Sequence, residues 1–174
     1  MAILGVDDMK AKLVGGGARS NLFKVTLNFP SYVQGDVELS SFMCKASSLP
    51  ESTVSEITVP FRGRQLKLAG DRTFASWEVT IINDTNFEVR DAMERWMDGI
   101  AGHTLNEGLQ NPSEYKADGI IEQLDRDGNV IKTYDYRGIF PTTVAAIPVA
   151  YDTEGIQEFG VTFSYDYWES NTTT

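Results

Sequence analysis

The chain has 174 residues, about one ordinary domain, so two full enzyme domains do not fit, and its 41% apolar content is enough to close a core without staples. Lys plus Arg number 15 against 25 Asp plus Glu, a formal charge of -10, which is the wrong sign for a groove that grips nucleic acid by neutralising phosphates. One cysteine, Cys44, excludes an internal disulfide, and one histidine, His103, leaves little for the usual catalytic or zinc sites, so neither a cofactor nor a metal is expected.

The first nine residues carry Asp7 and Asp8 and no Lys or Arg, unlike a secretory signal. No stretch approaches the roughly 18 consecutive apolar residues of a membrane-spanning helix. The expectation is a soluble chain with no stable membrane association. Gly15, Gly16 and Gly17 predict a flexible joint, making residues 1–18 an N-terminal arm ahead of a body at 19–169. Phe23, Val25, Leu27 and Phe29 alternate with polar neighbours as in a half-buried strand, ended by Pro30. The run Val37 to Ala46 predicts a second strand, paired with the first as a hairpin.

Between residues 47 and 72, Pro50, Pro60, Gly63 and Gly70 interrupt the apolar signal. This predicts two short strands, about Val54 to Val59 and Arg64 to Ala69, on an extended excursion from the body. Trp77, Val79 and Ile81 mark a clear strand. Thr85, Asn86, Phe87 and Glu88 fit a capping box opening one helix, whose apolar face is Val89, Ala92, Met93, Trp96 and Ile100 and which closes at Gly99 and Gly102. Gly119 to Leu124 and Val130 to Tyr136 predict a hairpin turned at Asp127 and Gly128, and Gly138 to Pro148 continues extended. The last strand, Gln157 to Tyr167, puts Phe159, Val161, Phe163, Tyr165 and Tyr167 on one face, followed by a frayed polar tail at 170–174. About eight strands and one helix predict a mainly β fold, a sandwich or barrel with one flanking α-helix.

Motifs for chemistry are sparse. His103 lacks a Gly-x-Ser-x-Gly partner and is expected on the surface. Asp125, Asp127 and Asn129 begin like a calcium loop, but the sixth and twelfth places are Val130 and Tyr136, so the hairpin turn is expected instead. Gly15 to Gly17 lack the Lys-Ser/Thr ending of a phosphate loop. Charge, by contrast, is patterned. Residues 1–72 hold 9 Lys/Arg and 7 Asp/Glu, a net of +2, whereas residues 73–174 hold 6 and 18, a net of -12. Arg62, Arg64, Lys67 and Arg72 crowd the excursion. They read either as a solvated basic face or as a flap docking on an acidic surface of an identical neighbour, a head-to-tail contact that propagates into rings or filaments.

Several fragments share the order of one family. Asn21-Leu22-Phe23, Cys44-Lys45-Ala46-Ser47-Ser48-Leu49-Pro50, Val59-Pro60-Phe61-Arg62-Gly63-Arg64 and Ala69-Gly70-Asp71-Arg72-Thr73-Phe74 with Trp77 resemble the tail tube proteins of T4-like contractile-tailed phages. So do Ile82-Asn83-Asp84, Pro112-Ser113-Glu114-Tyr115-Lys116, Gly138-Ile139-Phe140-Pro141-Thr142 and Asp166-Tyr167-Trp168-Glu169. The arm at Gly15 to Gly17 and the tail from Ser170 depart from the pattern.

The resemblance implies a β-sandwich with a flanking helix, six copies closing into a ring, and rings stacking into a hollow tube inside a contractile sheath in the virion tail. Phage DNA would traverse it without specific binding. Its partners would be further copies of itself, the sheath protein, a baseplate tube-initiator and a tail terminator. On this reading, Leu49, Pro50, Val54, Ile57, Val59 and Phe61 supply apolar contact between subunits, and Arg62, Arg64, Lys67 and Arg72 supply charge. An acidic wall repels DNA, so Glu38, Glu78, Glu122 and Asp135 are expected to face the lumen from inner strands. The alternatives are a tube-initiator or terminator of the same fold, the tube of a phage-derived injection device, an adhesin-like binding module, or an enzyme built on unplaced carboxylates.

Overall fold

The computed structural model describes residues 5–105 and 107–173; residues 1–4 of the expected arm and Thr174 of the tail lie outside them. In chain order the elements are α1 (Val6–Lys12), β1 (Phe23–Leu27), α2 (Val37–Met43), β2 (Cys44–Ser47), β3 (Ser52–Phe61), β4 (Arg64–Phe74) and β5 (Trp77–Ile82). After these come α3 (Glu88–Ile100), α4 (Pro112–Tyr115), β6 (Ala117–Leu124), β7 (Val130–Val144), β8 (Glu158–Ser164) and β9 (Tyr167–Ser170). One antiparallel sheet runs β1-β6-β7-β8-β5-β2 with β9 added on β7, and β3 pairs with β4 in a separate two-stranded sheet.

β7 belongs to both halves of the larger sheet. Its first part pairs with β6 and β9, and from Phe140 onward it pairs with β8. The changeover lies at Gly138, whose φ of 67° is a left-handed conformation that glycine adopts without penalty. The neighbouring charges hold this bend: Gly138 N–H donates to Asp118, and the Asp166 carboxylate, resting where a Gly138 Cβ would be, accepts from Lys116 Nζ at 2.6 and 2.8 Å.

The core lies between the two halves and α3. Val25 and Leu27, then Trp77, Val79 and Ile81, then Phe159, Val161 and Phe163 alternate inward, as their period of two predicts. Trp77 stacks on Tyr136 with centroids 4.2 Å apart and donates its indole N–H to Ser47 Oγ at 2.9 Å. Val89, Ala92, Met93 and Trp96 of α3 are buried, while Glu88, Asp91, Glu94 and Asp98 face outward. Trp96 donates its indole N–H to the Tyr115 carbonyl at 2.7 Å, and Tyr32 covers Gly99 closely enough to exclude any side chain there.

Several expectations are corrected. Val37 to Met43 is a helix rather than a strand, because the Asp36 carboxylate accepts hydrogen bonds from the Glu38 and Leu39 N–H groups and caps it; β1 pairs with β6. Only residues 44–47 are extended, against β5. Thr85 does not cap α3. Asp84 accepts the turn's N–H groups, and Phe87 takes the N-cap position in a left-handed conformation. The last strand breaks after Ser164. Asp166 N–H turns to the Arg137 carbonyl, and Tyr167, 47% exposed, starts β9 on the opposite face. Ser170 does not fray: it ends β9, 4% exposed, and accepts and donates hydrogen bonds within the turn to Thr173.

Candidate subunit interface

The excursion is a hairpin far longer than expected. Its tip, Phe61-Arg62-Gly63-Arg64, has Gly63 at φ 80° and the Arg62 guanidinium 5.3 Å from the Phe61 ring centroid. The register pairs Ile57 with Leu68, Val59 with Leu66 and Phe61 with Arg64. Alternation therefore collects Ile57, Val59, Phe61, Leu66 and Leu68 on one face, each between 41% and 67% exposed. The other face carries Val54, Glu56, Lys67 and Arg72, with Lys67 Nζ 3.1 Å from Glu56 Oε1. A bulge after Val54 lets Gly70 lie where a side chain would collide with Ser55. All of β3 is exposed, as is nearly all of β4. Its root is fixed in the body, where Tyr136 Oη donates to the Ser48 carbonyl at 3.2 Å and Phe74 leans on Tyr165 at 5.9 Å. Leu49 and Pro50 lie at this root, Leu49 being 47% exposed.

The four acidic residues expected on inner strands separate. Glu38 sits in the first turn of α2, so the strand that was to carry it is absent. Glu78 is exposed on β5, opposite Thr162 and facing away from the core. Glu122 and Asp135 share the outer face of the other half, where Glu122 lies between Lys24 and Thr133. Asp135 belongs to a network that sequence reading missed. Arg137 donates to Asp118 at 2.8 Å and to Glu169 at 3.3 Å, and stands 3.9 Å from Asp135. The hydrogen bonds to Asp118 and Glu169 raise the guanidinium pKa further. One basic residue thus ties three strands, β6, β7 and β9, together through three carboxylates.

A second exposed segment also went unread. Residues 145–157, joining β7 to β8, leave Val149, Tyr151 and Ile156 at 78%, 114% and 75% exposure. The loop is clamped at both ends: Arg90 Nη1 donates to the Ala145 carbonyl at 3.1 Å, and Asn83 donates its backbone N–H to the Gln157 carbonyl at 2.8 Å and its side-chain amide to Gln157 Oε1 at 3.0 Å. Its apolar residues from Ile147 to Ile156 follow neither a strand nor a helix period, so the sequence carries no local signal of their exposure.

His103 lies exposed after α3 with Nδ1 2.8 Å from Asp98, and this hydrogen bond holds the Asp98 carboxyl below its ordinary pKa. Asp125 to Asn129 form the hairpin turn, closed by Asp125 N–H on the Asn129 carbonyl at 2.8 Å. Among the described residues, no group of three or more His, Cys, Asp or Glu is arranged to hold a metal.

The chain matches the family described as phage tail tube protein over residues 18–171. It is 35% identical to the tail tube protein gp19 of Enterobacteria phage T4 over 167 residues, 94% of this chain and 99% of that one. It is 33% identical to the tail tube protein of Serratia phage KSP90 over 76% of each. Its fold is similar to a chain of the anti-feeding prophage tube-terminating cap, with a TM-score of 0.68 at 19% identity covering 90% and 91%. It is also similar to one of the sheath-tube complex of an extracellular contractile injection system, with a TM-score of 0.63 at 17% identity covering 92% and 96%. A mainly β body, a long unpartnered hairpin and this shared sequence together place the chain in the phage tail tube protein family, structural components of the virion tail.

Proposed function

We propose that six copies of this chain close into a ring, that rings stack into the hollow inner tube of a contractile tail, and that DNA passes along the lumen during ejection. The observation that carries this is the apolar face of the β3–β4 hairpin, which a single chain leaves uncovered. Contiguous apolar surface of this kind marks a site of association. The sheet also ends in β1 and β2, whose free edges a neighbouring copy would cover.

The hairpin supplies the subunit contact, with Ile57, Val59 and Phe61 as apolar area and Arg62, Arg64 and Arg72 as charge. Residues 1–18 act as an arm outside the tube body; α1, which has no buried residue, is consistent with that. Glu78 lies on the outer face of one half and Glu122 and Asp135 on the outer face of the other, so one of these two groups faces the lumen, within a ring whose six copies at -10 each carry -60 and repel phosphates. The acidic outer side of α3 faces the sheath, and a terminator and an initiator close the two ends. The role is structural, with no catalysis.

Purified protein examined by negative-stain microscopy and sedimentation tests this reading. Hollow tubes or stacked rings are expected, and Arg64→Glu should abolish them while leaving the circular dichroism spectrum unchanged. A wild-type chain that stays monomeric at high concentration would overturn it.

A further inference from the structure

The hairpin and the 145–157 loop have complementary surfaces at opposite ends of the same two strands. β5 begins at the hairpin root and ends at Ile82, paired with Glu158 where the loop returns to the sheet, and its six residues separate the two features by about 20 Å at roughly 3.3 Å per residue. One surface is convex and the other concave. The hairpin tip carries Phe61, 67% exposed, with Arg62 and Arg64, neither of which has an ion-pair partner among the described residues. The loop encloses a hollow of about 500 Å³ lined by Ile147, Val149, Ala150 and Ile156 among others. It carries Asp152 and Glu154 and no Lys or Arg. Both carboxylates are exposed, and they alternate in sequence with the lining residues Thr153 and Gly155.

We infer that the hairpin tip of one copy seats in the loop hollow of the next copy. Phe61 lies against Val149 and Ile156, and Arg62 and Arg64 meet Asp152 and Glu154. The inference rests on the head-to-tail assembly proposed above and names the surface that receives the hairpin. A patch and its complement at opposite ends of one molecule form a heterologous contact, which repeats from copy to copy instead of closing a two-fold dimer. Surfaces of about 500 Å³ concavity accept occupants of this size, since ligand hollows fall at roughly 300–1,000 Å³. The clamps at Ala145 and Gln157 hold the hollow open before contact, so little ordering of the loop opposes docking.

Two experiments decide it. In a Cys44→Ser background, Phe61→Cys combined with Val149→Cys should give a ladder of disulfide-linked multimers when assembled tubes are oxidised, and neither single variant should. Tubes that carry both cysteines and give no ladder would overturn the inference. In the second, Asp152→Lys with Glu154→Lys should reduce the pelleted fraction at least tenfold, and adding Arg62→Glu with Arg64→Glu should restore it. All four side chains are exposed in the single chain, and unchanged melting of each variant checks that it folds. If the hairpin reversal blocks assembly and the fourfold variant does not recover, the loop is not the receiving surface although the hairpin remains an interface. If the loop reversal assembles like wild type, the loop is free or serves another partner, and the inference fails. If the hairpin reversal itself has no effect, the underlying assembly reading fails with it.

Discussion

Leu66→Ala separates the assembly role of the hairpin from the stability of the chain that carries it. Leu66 is 57% exposed in the single chain and sits across from Val59 on the apolar face. The substitution removes three carbons, and at about 0.8 kcal/mol each, scaled by that exposure, the loss at a contact that covers the residue is about 1.4 kcal/mol. Such a difference is about tenfold in an equilibrium constant, so the concentration at which tubes form should rise about tenfold. Stability of the isolated chain should change little, since the residue lies on the exposed hairpin opposite Val59, a cross-strand pair contributing roughly 0.2–1 kcal/mol. Sedimentation across a protein dilution series gives the first number, and thermal melting below the assembly threshold gives the second. Unchanged assembly would show that this face stays in solvent. A large drop in melting temperature would show that the hairpin is part of the folding core, contrary to its exposure.

Two further predictions test the body. Gly138→Ala forces a left-handed conformation on a residue with a Cβ and drives that Cβ into the Asp166 carboxylate, so it should cost about 1–3 kcal/mol, while Gly155→Ala, in open space, should be nearly neutral. Equal melting of the two variants would refute the account of the β7 bend. Burial raises the phenol of Tyr32 to about 12 and raises those of Tyr136 and Tyr165. The folded chain therefore holds protons that the unfolded chain releases near the ordinary tyrosine value of 10.0, and stability present below that pH should decline as pH climbs towards 12. Urea midpoints read across this alkaline range check it, and a flat profile would contradict it.

The elements legible in the sequence are those whose partners enforce the local period. β1, β5 and β8 alternate because one face of each meets the core, and α3 repeats because it packs by one side. α2 was misread because Val37 and Leu39 alternate like a strand, and the cap at Asp36 overrides that short pattern. The break after Ser164 depends on Arg137 and Lys116, residues distant in sequence, and no local signal announces it. Of the candidate interface, the basic hairpin was legible because Pro60, Gly63 and Gly70 made its apolar residues unfit for a core. The receiving loop was not, because its apolar residues follow no period and their exposure is a property of the fold alone. Glu38 failed as an inner-strand residue for the same reason that α2 did.

The hairpin and the loop leave β5 and β8 at opposite ends, which determines how the subunit responds to force. Antiparallel rungs lie perpendicular to the strands. Tension between hairpin and loop therefore acts along the strands, so the β5–β8 rungs from Trp77–Phe163 to Ile82–Glu158 are sheared together rather than unzipped one at a time. Such a ladder yields only when many bonds break at once. The subunit is mechanically stiff along the line joining its two exposed ends, and the flexible direction is across it.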